Sequence, residues 1–537
     1  MMDSLSRRTM ITGGAVAVGS SATAWAAGRA AAEESRGWEA QASTVRPDDP
    51  RYADLRTGSN QRWMGRPEYI RVAGTTAHVV QAVTEAVKAG RRVVARSGGN
   101  CFEDFVTSPD VQVVVDLSQM RAISYDRAMR AIAVEAGALV GDVYRTLFTR
   151  WGVVIPAGIC QNVGMGGHVV GGAYGALNRL HGLAVDHLYA VEVVVVGRSG
   201  AARAVVATRE PDDPHRELWW AHTGGGGGNF GIVTRYWFRT PGAKGDDPAA
   251  LLPKPPPELL LHVQNWPWAG LTQEGFTRLV RNAGTWFEAN SAPDSPYNSL
   301  FSHLRLTHQA HGTVTLAAQL DATRPDAEKL MSDFTAAIGE GVGVAARQTQ
   351  HRTVPWVHGV WWNGFAGTNP NDRAKYKSAY LRRGFTDDQI AGIYRNLTRA
   401  DYQPHLGSMV QLAAYGGRVN TVGPEATAVP QRDSVVKVMF ASVWQPPADD
   451  AKHLQWIREC YRDTFAATGG VPARGGTTDG CFVNYADVDL NDPRWNSSDQ
   501  PWHELYYGGN YARLRQVKTR WDPRDVFRHA QSVQPLS

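Results

Sequence analysis

The sequence predicts an α+β protein of more than one domain, and three observations carry that reading. Its 537 residues exceed one ordinary domain. The first half interleaves short apolar strands, amphipathic helices and three glycine-rich loops. After a proline-rich boundary, Asp246 to Pro257, alternating stretches mix with longer helical ones. That later region reads as one antiparallel sheet backed by helices.

Taken in order, residues 1–45 form a leader and linker. Ser6-Arg7-Arg8-Thr9-Met10 precedes a weakly apolar run, ITGGAVAVGSSATAWAA. Twin arginines before such a run resemble a Tat export signal, which predicts an extracellular or cell-surface protein exported already folded. The run is too short and too rich in Gly and Ser for a stable membrane span, and no other segment offers one.

Residues 46–245 open as a β-α-β unit. Val79, Val80, Val83 and Val87 recur at helical spacing, with Gly90 as the stop. Val93-Val94-Ala95 is a buried strand running into the first glycine loop. Val111–Leu117 and Ala131–Val134 read as strands and Val140–Arg150 as an amphipathic helix. Ala190–Gly197 is the strongest strand signal and turns at Arg198-Ser199-Gly200 into Ala204–Val206. Glu217–Trp220 reads as a short helix, and Ile232–Phe238 returns as a strand.

Residues 246–470 carry the substrate-side domain, with Val314–Leu320 as a strand and Pro325–Ile338 as a helix. Its many tryptophans, Trp266 to Trp456, read for the most part as core aromatics. Residues 471–537 return to the first domain.

The organising stretch is Pro156–Gly175, PAGICQNVGMGGHVVGGAYG, with seven glycines in twenty residues. Glycine at that density costs too much conformational entropy for a packing element. It suits backbone that approaches a large ligand closely. Arg96-Ser97-Gly98-Gly99-Asn100 and Gly224–Gly231 have the same character. Three such loops point to one extended ligand with a phosphate portion, held by peptide N–H groups. Gly226–Gly231 also fits G-x-G-x-x-G, but it leads into a strand rather than a helix, so a Rossmann fingerprint is excluded.

Composition sets further limits. The net charge of +5 is spread along the chain, with no basic stripe for nucleic acid. Four cysteines are too few for a disulfide scaffold, and no metal-ligand spacing appears.

RSGGN, the G-x-C…GGH…GGAYG run, GGGGGNFGIVT and the late NYAD…YYGGNYARLRQVK…WDPRDVF segment occur in one order. Together they resemble the berberine-bridge-enzyme-like, FAD-linked oxidases of the vanillyl-alcohol-oxidase fold. The resemblance covers most of Asp48 to Val533 and lies nearest to the hexose oxidases of lipoglycopeptide antibiotic biosynthesis. It implies a PCMH-type FAD-binding domain of two subdomains, residues 46–245, rejoined by the segment 471–537.

The resemblance also implies roles. Cys160 stands where the family forms a thioether to the flavin, and thiolate is the reactive form; glycine-loop N–H groups are expected to lower its pKa. Asn100 stands where the family's RSGGH motif carries a second, histidyl flavin link. A carboxamide nitrogen is a poor nucleophile, so only the Cys160 bond is expected. Arg96, Ser97, Gly98 and Gly99, with Val163, Gly164, Gly166 and Gly167, are expected to line the cofactor, as are Gly171, Gly172 and Gly175. His168 supports the loop. Gly231, Ile232 and Val233 flank the flavin or adenine portion. Asn484 and Tyr485 match the family's N-Y-x-D segment. Tyr485 and Tyr174 resemble its active-site tyrosines, and Tyr507 and Asn510 are expected beside the ring. A phenol has an ordinary pKa of about 10, so a base at this position needs a neighbour that lowers it.

The expected activity is oxidation of an alcohol on a carbohydrate or glycosylated secondary metabolite. Hydride passes to flavin N5, Tyr485 takes the hydroxyl proton, and molecular oxygen reoxidises the flavin to yield hydrogen peroxide. The alternatives are oxidative ring closure or desaturation of a natural product, and a redox-silent protein that shapes a ligand by its cavity.

Overall fold

The computed structural model describes residues 42–362 and 372–536, so the twin-arginine segment lies outside the described residues. Three sheets organise the described residues. The first holds β1 (Ser43–Val45), β2 (Tyr69–Val72), β3 (Val93–Arg96) and β4 (Val113–Asp116), in the order β1-β2-β4-β3. β2 and β3 run parallel to β4, and parallel neighbours need a crossover. The helix Thr76–Lys88 supplies it. Thr75 caps that helix by accepting from the His78 N–H at 3.2 Å, and Gly90 leaves it at φ +66°. Val79, Ala82, Val83 and Ala86 form its buried stripe. All four residues of β4 are buried, the pattern of a strand covered on both faces.

The second sheet is antiparallel: β5 (Ile123–Asp126), β6 (Ala131–Glu135), β7 (Leu188–Val196), β8 (Ala202–Thr208) and β9 (Ile232–Phe238), in the order β5-β6-β9-β7-β8. Between β6 and β7 lie the helix Val140–Trp151 and the glycine-rich stretch. That stretch is not loop throughout: Met165–Val170 is helical, because Met165, Val169 and Val170 have a core to pack into.

The third sheet has seven antiparallel strands: β10 (Glu258–Pro267), β11 (Phe301–Thr307), β12 (Thr313–Asp321), β13 (Arg347–Pro355), β14 (Arg373–Leu381), β15 (Gly407–Ala414) and β16 (Val436–Trp444). Their order is β13-β10-β12-β11-β15-β16-β14. The helices Gln273–Ala289, Ala327–Gly339, Asp387–Leu397 and Asp450–Thr464 accompany it and bury apolar stripes such as Phe276, Leu279, Val280 and Ala283. Burying one such side chain fully contributes about 1.5–3 kcal/mol. No helix of the described residues is long and apolar enough to cross a membrane.

Candidate active site

The three glycine loops meet around one cavity of about 370 Å³, within the roughly 300–1,000 Å³ of small-molecule and cofactor sites. The first loop leaves β3 at Arg96. Gly99 sits at φ +70°, a conformation that favours glycine. The Ser97 hydroxyl donates to the Ala136 carbonyl at 2.6 Å. A Cβ on Gly98 would lie 2.4 Å from the Gly164 nitrogen, so paired glycines are what let the first two loops abut. A Cβ on Gly167 would meet nothing within 4 Å, and Gly167 lines the cavity: its bare backbone forms an open cradle.

The third loop is pinned from the C-terminal segment. The Tyr507 hydroxyl donates to the Gly225 carbonyl at 3.0 Å and Lys518 donates to the Asn229 carbonyl at 2.8 Å. The Asn229 amide donates to Gly225 at 2.8 Å. These donors and surfaces fit FAD: glycine-bare backbone for a diphosphate, and apolar and aromatic side chains for a planar ring.

Eighteen of the residues expected at the site line this cavity: Arg96, Ser97, Gly98, Gly99, Asn100, Cys160, Val163, Gly164, Gly166, Gly167, His168, Tyr174, Gly231, Ile232, Val233, Asn484, Tyr485 and Tyr507. Gly171, Gly172, Gly175 and Asn510 do not. Gly171 leaves room for Asn484, Gly172 faces Val429, and Gly175 passes the Ala157 carbonyl, where a Cβ would sit at 1.7 Å. Asn510 donates to the Pro424 carbonyl at 2.8 Å, which makes it an anchor for that turn.

The polar groups around Cys160 have distinct states. Burial pushes the Cys160 thiol up to about 11, with Lys437 opposing the shift. The expected lowering by loop N–H groups is absent: Lys437 is what pulls the thiol down, and desolvation of the anion outweighs it. The Asn100 amide nitrogen donates to the Gly98 carbonyl at 2.8 Å and to the Asn162 carbonyl at 2.9 Å. It stitches the first loop to the Cys160 loop. His168 Nε2 accepts from the Gly158 N–H at 2.8 Å, and burial lowers its pKa to about 4. His168 is a neutral acceptor, and the Asn484 amide donates to its carbonyl at 2.9 Å.

The two tyrosines differ. The Tyr174 hydroxyl donates to the Ala414 carbonyl at 3.0 Å. Tyr485 packs between Phe102 and Phe482, with ring centroids 5.3 Å and 5.2 Å away, and its hydroxyl has no hydrogen-bond partner among the described residues. Burial raises both phenols.

Sequence reasoning missed Lys437. It lies on β16, buried, with Nζ 3.7 Å from the centroid of the Tyr485 ring and 4.6 Å from that of Tyr174. Burial lowers its pKa well below the ordinary lysine value, against a raising influence from Cys160. The available signal was a lysine inside an apolar strand, VVKVMF. His303 on β11 and Gln411 on β15 also line the cavity and were not singled out.

Comparison with known proteins agrees with this geometry. The family profile "FAD binding domain" matches residues 67–200, and "Berberine and berberine like" matches residues 481–534. The chain is 54% identical over 488 residues to aclacinomycin-N/aclacinomycin-A oxidase of Streptomyces galilaeus, covering 91% of this chain and 89% of that one. It is 32% identical to hexose oxidase of Chondrus crispus, covering 92% and 95%. A solved glycopeptide hexose oxidase complexed with teicoplanin superposes with a TM-score of 0.88 at 48% identity, over 92% of this chain and all but 1% of that one, 99%. The chain is an FAD-linked oxidoreductase and belongs to the berberine-bridge-enzyme-like family, with its PCMH-type FAD-binding fold.

Proposed function

We propose that this enzyme oxidises an alcohol on a sugar or a glycosylated, antibiotic-like metabolite. The observation that carries the reading is Tyr485: a cavity-lining phenol whose hydroxyl has no partner among the described residues, with the Lys437 amine nitrogen 3.7 Å from its ring centroid. The named activities of the relatives, on aclacinomycins, hexoses and a glycopeptide, support the substrate class.

The three glycine loops would hold FAD, and Cys160 is the residue that would tether it. Bound FAD supplies the two-electron acceptor for the carbinol hydride, and molecular oxygen takes those electrons on to hydrogen peroxide. The chain's own residues do the proton work. Tyr485 accepts the hydroxyl proton of the substrate. Tyr174, with its own proton committed to Ala414, shapes the wall beside it. Burial by itself keeps both Tyr485 and Lys437 neutral. An ammonium at Lys437 is stable only beside an anion, the phenolate of Tyr485 or the thiolate of Cys160, so these groups titrate as a set.

Two tests follow from this reading. An absorption spectrum and intact mass of the purified protein, then a screen of sugars and glycosides for peroxide release, check cofactor and substrate; a colourless protein, or none of these compounds oxidised, overturns the reading. Lys437→Met removes the amine that would be protonated beside a Tyr485 phenolate, so the Tyr485 pKa should rise. Flavin reduction at neutral pH should fall about tenfold for each unit of that rise, and the rate should recover toward higher pH. Stopped-flow traces across pH check it; an unchanged profile removes Lys437 from the proton path. We also propose export through Arg7-Arg8: changing both to Lys should retain flavin-loaded protein in the cytoplasm, as fractionation would show.

A further inference from the structure

Beside the cavity, with Glu103 in its lining, lies a buried ionic cluster. Glu103, Lys375, Lys377, Asp487 and Asp489 have side chains no more than 4% exposed. Lys375 pairs with Glu103 and lies 2.7 Å from Asp487 Oδ1. Lys377 lies 2.8 Å from Asp487 Oδ2 and 2.8 Å from Asp489. Arg458 closes the cluster on Asp489 at 2.8 Å. Two lysines and one arginine thus meet three carboxylates, and the charges balance.

Buried ion clusters are weak as a source of stability, since apolar side chains of the same volume serve as well or better. What they supply is direction: each charge must meet its partner at one geometry. The residues this cluster joins are informative. Glu103 follows Phe102. Lys375 and Lys377 flank Tyr376 on β14, and alternation along a strand puts Tyr376 on the opposite face. Asp487 follows Tyr485 by two residues. Those three aromatic neighbours form a chain of their own. Phe102 stacks on Tyr376 at 4.2 Å between centroids and packs against Tyr485 at 5.3 Å. The same three segments therefore meet twice, through their rings and through their charges.

The geometry points to a positioning role: we propose that the Glu103–Lys375–Asp487–Lys377–Asp489 cluster sets the place of the Tyr485 ring in the cavity by fixing Asp487 from both carboxylate oxygens. The backbone of Asp487 is held as well. Its N–H donates to the Tyr506 hydroxyl at 3.1 Å, and its carbonyl accepts from the Gln531 amide at 2.8 Å. The proposal rests on Tyr485 being the base, and its test separates the two claims.

The holoenzyme is labelled with 3-fluorotyrosine, and the Tyr485 resonance is identified as the one lost in Tyr485→Phe. Asp487→Asn, equal in shape but lacking the charge, should move or split that resonance. Asp499→Asn, an exposed change in the same segment, should not. An unmoved resonance in a folded, flavin-loaded Asp487→Asn protein overturns the proposal without touching the role of Tyr485. The second measurement is flavin reduction by the sugar that gives the fastest peroxide release in the screen above. Asp487→Asn should lower the saturated rate by about tenfold with little change in KM, and should have almost no effect in the Tyr485→Phe background. Equal losses in both backgrounds would mark the cluster as a fold staple. If Asp487→Asn does not fold, Glu103→Gln, which leaves Asp487 held by both lysines but frees Lys375 of one partner, is measured in the same way.

Discussion

Tyr485→Phe should reduce the rate of flavin reduction by about 10² to 10⁴, the usual worth of a general base. The substitution keeps the ring between Phe102 and Phe482 and removes only the hydroxyl, so flavin binding should persist. The structure separates Tyr485 from its rival on one point. The Tyr174 hydroxyl already donates to the Ala414 carbonyl, and losing its proton would break that hydrogen bond and set an anion against a carbonyl oxygen. Tyr485 carries no such commitment and lies beside Lys437, which is close to both rings. Single-turnover stopped-flow measurement checks this. A loss under about threefold would move the base to Tyr174 or to the neutral amine of Lys437, because no true base costs so little.

Cys160→Ala should leave no flavin attached after denaturation in acid, whereas the unaltered protein should keep one per chain. The argument is by elimination around the cavity. Asn100 spends its amide protons on the Gly98 and Asn162 carbonyls, and its nitrogen is not nucleophilic. Cys101 also lines the cavity, and burial pushes its thiol up to about 11 although the Glu103 and Phe105 backbone pulls it down. The Cys160 thiol stands equally high, at about 11, and what singles it out is its place in the G-x-C motif. Intact mass with and without denaturation decides the matter, and flavin retained in Cys160→Ala would shift the assignment to Cys101. Asn100→His should permit a second bond to the same flavin. A neutral imidazole has one N–H where the amide has two, so the variant gives up one of these two hydrogen bonds. That loss is about 0.5–1.5 kcal/mol and should show as a lower melting temperature before flavin is added back.

What the sequence by itself determined was whatever short spacing encodes. Glycine runs mark backbone that must come close, as Gly98 and Gly164 do. Cys160 and Tyr485 stand inside motifs, so their neighbours in the chain identify them. The helix Thr76–Lys88 and strand β9 follow from periodicity. Gly171, Gly172 and Gly175 misled because the same bareness serves a ligand or a neighbouring side chain, and sequence does not distinguish the two. Only the tertiary structure decided the charge states. Lys375 and Lys377 in β14 are ordinary lysines in the sequence, yet carboxylates from distant segments cover both. Lys437 is likewise an ordinary lysine until two tyrosines and a thiol surround it. Burial and pairing are properties of residues brought together from far along the chain, and they set pKa values by desolvation and Coulomb forces that no local pattern carries.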